Sequence, residues 1–278
     1  MRAFLVFASF VPFATAASAQ PAPISLGLSP PAQCNDFFQG TQQPVLLPTA
    51  GPPLRSGKTI CHSFYAVSYS TELRDPLWSA EHLIREMAVG GDSISRVDQG
   101  FVKDDAITSG EQASDSDFVA PYDRGHMTPA NDAPDESTQR DTFVFTNAVP
   151  QHKNLNRRLW QYLEASLHQV AEIEGEVYIV TGPIFGSAPR GRVARPKSTF
   201  KAIYIPGRNL AVGYVATNRP TPKCRIFPVA EIIRQSSIDP FPALSTAVKA
   251  SPSSYGLPNG MNVKRDGSRQ RLPLPDCH

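Results

Sequence analysis

The sequence lacks several patterns that would place a protein in a broad class. Its 27 basic and 25 acidic residues leave a formal charge of +2, so the composition neither supports nor excludes a polyanionic partner, and any field that attracts phosphate must be local. The sequence has no internal repeat and no low-complexity tract. After residue 19, no run of residues is long and apolar enough to span a membrane.

Cysteine is scarce, and none of it lies in a zinc-binding spacing. Cys34, Cys61, Cys224 and Cys277 form no Cys-x-x-Cys pair and no Cys/His cluster. In an oxidising compartment two disulfides are expected, and three pairings are open. Because shorter loops cost less entropy to close, we favour Cys34–Cys61 with Cys224–Cys277.

The first residues have the composition of a secretory signal. Arg2 supplies a positive charge, residues 3–13 an apolar stretch, and Ala17-Ser18-Ala19 a small-residue cleavage pattern. The apolar stretch is shorter than the roughly 20 residues of a membrane-spanning helix, which argues against an anchor. We expect cleavage near Ala19, no membrane contact afterwards, and a periplasmic or secreted location.

The rest of the chain contains enough apolar material for one large domain. Of its 278 residues, 41% are hydrophobic and 19% are charged, values typical of a globular protein. The 27 prolines gather near both ends and in connecting segments, which indicates long loops. We predict a signal at 1–19, a Pro-rich arm at 20–59, a folded domain at 60–250, and a tail at 251–278 tied by a disulfide.

Hydrophobic periodicity predicts both strands and helices within that domain. Apolar residues at helical spacing from Leu159 to Ile173 predict a helix that stops at Gly175. The Gly-, Ser- and Asp-rich residues 90–120 are predicted to form a long surface loop. The remaining predicted elements are strands at 64–69, 142–149 (closed by Pro150) and 176–182, a hairpin of 200–205 with 210–217, and a short helix at 229–234.

One short stretch concentrates charge in a way that a core strand would not. Asp123, Arg124, Gly125 and His126 are consecutive, and Pro129 follows closely. Burying the acid, the cation or the imidazole without a partner would cost several kcal/mol in lost hydration. The stretch therefore indicates a functional site, most simply one for an anion or a metal ion.

Further motifs follow this stretch at family-like spacing. They are Asn147-Ala148-Val149-Pro150-Gln151, then Asn154-Leu155-Asn156-Arg157-Arg158-Leu159-Trp160, then Glu164. With them the sequence resembles the DNA/RNA non-specific endonuclease family over most of residues 60–235. The resemblance implies an α+β nuclease domain with a central antiparallel sheet and a ββα-metal active-site element.

The residues themselves suit hydrolysis of a phosphodiester. A neutral His126, with an ordinary pKa of about 6.5, can take a proton from water. Arg124 lies two residues earlier, so on a strand it shares a face with His126 and can neutralise a phosphate oxygen. The amide oxygen of Asn156 suits Mg²⁺, with Mn²⁺ or another divalent ion as an alternative. The resemblance implies the same roles, with His126 as the base and Asn156 as the direct metal ligand.

Two further catalytic candidates depend more heavily on the resemblance. Arg96 corresponds to a second catalytic arginine of the family, although the loop after it leaves this alignment open. Glu164 lies roughly 12 Å along an ideal helix from Asn156, too far for both side chains to touch one ion. Either Asn156 lies in an irregular first turn, or Glu164 holds a metal-bound water, which is the role that the resemblance favours.

Substrate or supporting contacts are expected from Asp123, Asn147, Gln151 and Arg157, with Asp123 orienting a neighbour through a hydrogen bond. Asn156 as a helix N-cap and Glu164 as a solvated helix residue are alternatives. Arg157 and Arg158 suit phosphate contacts or a solvated pair. Phosphate contacts and a solubilising loop also explain equally well the basic run of Arg190, Arg192, Arg195 and Lys197.

These features predict a secreted Mg²⁺-dependent endonuclease that binds DNA and RNA through the phosphate backbone. Little base readout is expected, because the sequence has no recognition helix, aromatic RNA-binding motif or zinc finger. The alternatives are a phosphodiesterase for another phosphate diester and a non-catalytic secreted binding protein. No pattern in the sequence sets the oligomeric state.

Overall fold

The structure is a computed structural model that describes residues 34–47, 57–186, 192–252, 254–264 and 266–278. The predicted signal at 1–19, part of the Pro-rich arm and Arg190 of the basic run lie outside these ranges. Within them, no helix combines the length and the apolar character that crossing a membrane requires.

Strands and helices alternate irregularly along the chain. The strands are β1 (Val45–Leu46), β2 (Lys58–Cys61), β3 (Tyr65–Ser70), β4 (Asp75–Ile84), β5 (Tyr122–His126), β6 (Ala148–His152), β7 (Glu176–Ile184), β8 (Ser198–Ile205), β9 (Leu210–Thr217), β10 (Cys224–Phe227), β11 (Ile238–Asp239), β12 (Met261–Val263) and β13 (Arg269–Arg271). The α-helices are α1 (Arg85–Gly91), α2 (Glu136–Asp141), α3 (Gln161–Glu174), α4 (Val229–Ser236) and α5 (Thr246–Ala250).

A seven-stranded antiparallel sheet forms the centre of the molecule, as predicted, in the order β10-β9-β8-β7-β4-β3-β2. Its two faces are both covered. Leu163 and Leu167 of α3 pack on one face, and Val229 and Ile232 of α4 pack on the other. Each such side chain, once fully buried, contributes about 1.5–3 kcal/mol relative to exposure.

Several predicted elements are confirmed with small shifts of their ends. The helix ends before Gly175, whose φ of 95° favours a residue without a Cβ. The hairpin is β8–β9, with Asn209 left-handed in its turn, and the short helix is α4. Before α3 the chain forms a π-helical turn, Leu155–Trp160.

The predicted strand at 142–149 is wrong in its bounds. Phe145–Asn147 is a 3-10 turn, and the strand β6 begins only at Ala148. The side chain of Asn147 bonds the main chain of Thr128, which replaces the ladder that a longer strand would make. Pro150 lies inside β6 and does not close it, because β6 pairs only with β5 in a two-stranded ribbon that tolerates proline.

The predicted surface loop at 90–120 is only partly a surface segment. Its first residues belong to α1, and Val97, Ile107 and Ala113 are buried. Val97 packs with Phe143, and Ala113 packs with Phe145. This segment therefore closes over the motif region, where it carries Arg96 to the site.

Both disulfides join neighbouring parts of the chain. Cys34 pairs with Cys61, and Cys224 pairs with Cys277, which are the favoured local pairings. The second disulfide ties the tail to β10. The tail itself contains the antiparallel hairpin β12–β13.

Candidate active site

A cleft of about 960 Å³ lies where the β5–β6 ribbon meets the π-helical turn and the start of α3. It is lined by most of the predicted site residues: Arg96, Asp123, Arg124, His126, Asn156, Arg157 and Glu164. Asn147 and Gln151 do not line it; both are fully buried.

Gly125 explains why β5 and β6 can approach so closely. A Cβ at Gly125 would lie 2.5 Å from both Cβ and Oε1 of Gln151, a distance that no side chain tolerates. The buried Gln151 amide donates to Thr199 Oγ1 at 3.4 Å. Gln151 therefore supports the ribbon from behind and does not touch the cleft.

Asn147 braces the chain just after His126. Its Oδ1 accepts from Thr128 N at 2.9 Å, while its Nδ2 donates to the carbonyls of Thr128 at 2.9 Å and Thr142 at 3.0 Å. The oxygen and the nitrogen of the Asn147 side-chain amide thus both form hydrogen bonds with the main chain. A supporting position fits this geometry, and a direct substrate contact does not.

His126 lies on an aromatic floor. Its ring centroid is 4.8 Å from that of Phe101 and 5.0 Å from that of Phe143. Burial, followed by the positive charges of Arg96 and Lys201, holds the pKa of His126 well below its ordinary value. Its Nε2 is shielded and has no hydrogen-bond partner among the described residues. A neutral imidazole has one unprotonated nitrogen that can accept a proton.

Two guanidinium groups flank the same aromatic floor. Arg96 lies over Phe143 at 5.0 Å from the ring centroid, and Arg124 lies 5.8 Å from the centroid of Phe101. Arg124 also donates to Asp115 Oδ1 at 2.6 Å. Since both partners of that ion pair are exposed, it is worth at most about 1 kcal/mol.

Asp123 links the ribbon to the π-helical turn. Its Oδ2 accepts from Asn156 Nδ2 at 3.1 Å and from Arg157 Nε at 2.8 Å, and its Oδ1 accepts from Arg157 Nη2 at 2.6 Å. Burial raises the pKa of Asp123, but the hydrogen bonds from Arg157 and Asn156 outweigh it and leave the pKa below its ordinary value. The ionised carboxylate fixes the amide nitrogen of Asn156 towards itself, so the amide oxygen points elsewhere.

The π-helical turn settles how Asn156 is presented. Asn156 lies inside the turn, and the residue at its N-cap position is Asn154. The N-cap alternative for Asn156 is therefore wrong. A π-helical turn changes the direction of its side chains relative to a regular α-helix. The irregular first turn that the sequence left open for Asn156 is therefore present.

Glu164 is not a solvated helix residue, because its side chain is only 16% exposed. Its Oε1 lies 3.8 Å from Lys201 Nζ and has no hydrogen-bond partner in the described part of the chain. Burial raises the pKa of Glu164 to about 7, against the opposing charge of Lys201. Sequence reasoning missed Lys201, although a lysine in the apolar strand β8 is a signal of a buried, paired charge.

A second group of residues could in principle gather around a cation. Ligand atoms of Asp92, His168 and Glu172 lie within 4.8 Å of one another. However, His168 Nδ1 contacts Asp132 Oδ1 at 2.8 Å and its Nε2 contacts the carbonyl of Ala88 at 3.0 Å. Burial lowers the pKa of His168, but hydrogen bonds to Asp132 and Asp92 raise it to about 10. Both ring nitrogens of His168 are thus engaged by oxygen atoms of the protein, and in this structure the three residues belong to a buried ion-pair network.

The described part of the basic run lies beside the cleft. Arg192 pairs with Asp117. The guanidinium of Arg195 stacks 4.0 Å from the ring centroid of Tyr122, a residue that lines the cleft. One member of the run thus contacts the cleft wall.

A two-stranded ribbon that carries a histidine, followed by a helix that presents an amide, is a ββα arrangement. The chain belongs to the DNA/RNA non-specific endonuclease family, because the model of that family matches residues 48–247.

Two proteins that are similar in sequence are named as a nuclease and an endonuclease. The chain is 32% identical over 158 residues to Nuclease C1 of Cunninghamella echinulata var. echinulata, which covers 51% of this chain and 63% of that protein. It is 32% identical over 123 residues to mitochondrial Endonuclease G of Bos taurus, covering 44% of this chain and 40% of that protein. The matched part therefore spans less than two thirds of either relative.

A solved structure shows the same fold. The crystal structure of the EndoG/EndoGI complex matches with a TM-score of 0.58 and 24% identity, over 68% of this chain and 92% of that chain.

Proposed function

We propose that this protein is a secreted, Mg²⁺-dependent endonuclease that hydrolyses phosphodiester bonds of DNA and RNA with little sequence preference. The observation that carries the proposal is the neutral His126 between two arginines, in the same cleft as an Asn156 amide oriented by Asp123. An acceptor of protons, two cations and an oriented oxygen donor are what hydrolysis of a phosphate diester requires.

The arginines hold and neutralise the phosphate. Arg124 and Arg157 line the cleft while exposed, so they can reach the backbone of a nucleic acid. Such contacts carry no sequence information. Arg96 lies deeper, over Phe143, where its charge opposes the negative charge that grows on the phosphoryl oxygens in the transition state.

His126 takes the proton. A water attacks phosphorus, its proton passes to the unprotonated ring nitrogen of His126, and the bond from phosphorus to the leaving oxygen breaks. The leaving oxygen then takes a proton from solvent. Burial and the adjacent cations disfavour the resulting imidazolium, so His126 passes this proton on to solvent and is restored to the neutral base.

The residues present fit a hard divalent ion. The amide oxygen of Asn156 is turned away from Asp123, and Glu164 Oε1 is buried without a hydrogen-bond partner among the described residues. Two oxygen donors suit Mg²⁺, which keeps most of its water ligands; Asn156 would hold it directly and Glu164 through a water. When bound, the ion would stabilise the charge on the leaving oxygen.

Export is supported by the two disulfides, since such bonds persist in oxidising compartments. With the signal-like residues 1–19, they favour a periplasmic or extracellular site of action.

Incubation of the full chain with supercoiled plasmid and with single-stranded RNA, with and without Mg²⁺, tests the proposal. We expect both substrates to be cut only with the metal, and His126→Ala to lower the rate roughly 10²–10⁴-fold. His82→Ala is the matched control, because His82 stacks on Tyr178 outside the cleft. Plasmid that stays intact with Mg²⁺ would overturn the proposal, whereas cutting of DNA alone would refute only the activity on RNA.

A further inference from the structure

The hairpin β12–β13 contributes to the cleft although it lies outside the part of the chain that matches the family. That match ends at residue 247. Met261, Asn262, Lys264 and Leu272 nevertheless line the cleft together with the catalytic candidates. The cleft thus has a wall for which the family resemblance does not account.

The base of the hairpin is fixed against α3 beside Glu164. A Cβ at Gly260 would lie 2.3 Å from the carbonyl carbon of Ala165 and 2.4 Å from its Cβ, so only glycine allows this approach. Leu272 N donates to the carbonyl of Gly260 at 2.9 Å, and the Leu272 side chain is buried. These contacts hold the hairpin one residue from a proposed site residue.

Further contacts hold the rest of the hairpin. Arg269 Nη2 donates to the carbonyl of Asp92 at 2.6 Å, at the end of α1. Asn259 Nδ2 donates to the carbonyl of Leu272 at 3.0 Å. The disulfide of Cys277 then ties the following residues to the central sheet. At these described residues the hairpin is therefore held against α1 and α3 beside the cleft.

Polar side chains of the hairpin line the cleft. Asn262 lies in β12 and Lys264 follows directly after that strand, and both line the cleft. Lys264 is exposed, and among the described residues its charge interacts with the exposed Asp266 carboxylate in the same turn. Lys153, the residue after β6, and Arg157 of the π-helical turn also line the cleft. Cations thus face the cleft from both the hairpin and the ββα element.

We propose that the hairpin Met261–Arg271 is a second substrate wall, on which Lys264, with Asn262 beside it, binds the phosphate backbone of a nucleic acid away from the scissile phosphate. This inference rests on the proposed nuclease function. Backbone contact is the chemistry that fits, because a lysine and an amide donate hydrogen bonds to phosphate oxygens without reading bases.

Binding of a fluorescently labelled DNA duplex to the full chain in EDTA, followed by anisotropy over a range of salt concentrations, tests the wall without cleavage. Each phosphate contact adds about 0.9 to the slope of log affinity against log salt. We expect Lys264→Gln to reduce the slope by about that amount and to weaken binding several-fold. Arg234→Gln is the matched control, because it removes one exposed positive charge on α4, across the sheet from α3.

The outcomes separate the two proposals. Equal slopes for Lys264→Gln and Arg234→Gln, or no binding by the wild type, would overturn the second wall. A reduced slope in a protein that fails to cut plasmid with Mg²⁺ would support the wall as a binding surface and overturn the proposed catalysis. Since Lys264 is exposed, its replacement does not endanger folding.

Discussion

The buried amine of Lys201 lies 3.8 Å from Glu164 Oε1 and donates to the carbonyl of Met127, the residue after His126, at 3.2 Å. One side chain from the central sheet thus joins the strand that carries the proposed base to the helix that carries the proposed acidic group. Thr181 Oγ1 accepts a further hydrogen bond from it at 2.8 Å.

Replacing Lys201 should therefore damage both stability and turnover. Lys201→Met leaves the Glu164 carboxylate buried without its partner, which we expect to cost about 3 kcal/mol of unfolding free energy and to lower kcat about tenfold or more. Denaturant unfolding and plasmid cleavage measure the two effects. Lys223→Met, at an exposed position just before β10, should stay within about 0.5 kcal/mol of the wild type. Unchanged stability and kcat in Lys201→Met would contradict this view of the pair.

Asp123 should act on the metal through Asn156. The side chain of Asp123→Asn can donate as well as accept, so it no longer requires the Asn156 amide nitrogen as its hydrogen-bond partner. The Asn156 amide can then turn its oxygen away from the ion. We expect the Mg²⁺ concentration for half-maximal cleavage to rise about 10–100-fold. A magnesium titration of the cleavage rate measures this. Asp115→Asn removes an exposed carboxylate that bonds only Arg124 among the described residues, and should leave the magnesium dependence as it was; a normal titration for Asp123→Asn would refute the orienting role.

The acid limb of the activity profile should report His126. Burial and two cations lower the pKa of His126. The ring therefore stays neutral, and able to accept a proton, at pH values well below its ordinary pKa of about 6.5. Arg96→Gln removes one of those cations, which must raise the pKa and move the acid limb of kcat/KM to higher pH. Profiles of both proteins, with Arg234→Gln for comparison, measure the shift. An acid limb of the wild type at or above the ordinary value would contradict the assignment of His126 as the base.

Gly125 should be intolerant of even a methyl group. In Gly125→Ala the new Cβ meets Gln151 at 2.5 Å, and we expect overpacking to cost about 1–3 kcal/mol of unfolding free energy. Gly207→Ala provides the matched control, because a Cβ there meets no atom within 4 Å. Thermal unfolding compares the two. Equal melting temperatures would mean that the ribbon can open without cost.

Much of this fold can be predicted from local sequence patterns. The stop at Gly175, the β8–β9 hairpin and the apolar face of α3 each depend on residues close together in the chain, so periodicity and turn chemistry predict them. The predicted bounds of the strand at 142–149 are wrong because the turn before β6 is fixed by a hydrogen bond between Asn147 and Thr128, which lie 19 residues apart. A distant partner of that kind leaves no local pattern.

The sequence by itself determined which chemical groups are present: a histidine and an arginine on one strand, an asparagine at the start of the helix, and four cysteines whose local pairing it favoured without excluding the others. Only the tertiary structure decided the neutral state of His126, the π-helical presentation of Asn156, the buried Lys201 and the wall formed by β12–β13. The physical reason is that burial and Coulomb interactions depend on distance in space. Residues such as Arg96, Lys201 and Lys264 approach the cleft only after the chain has folded.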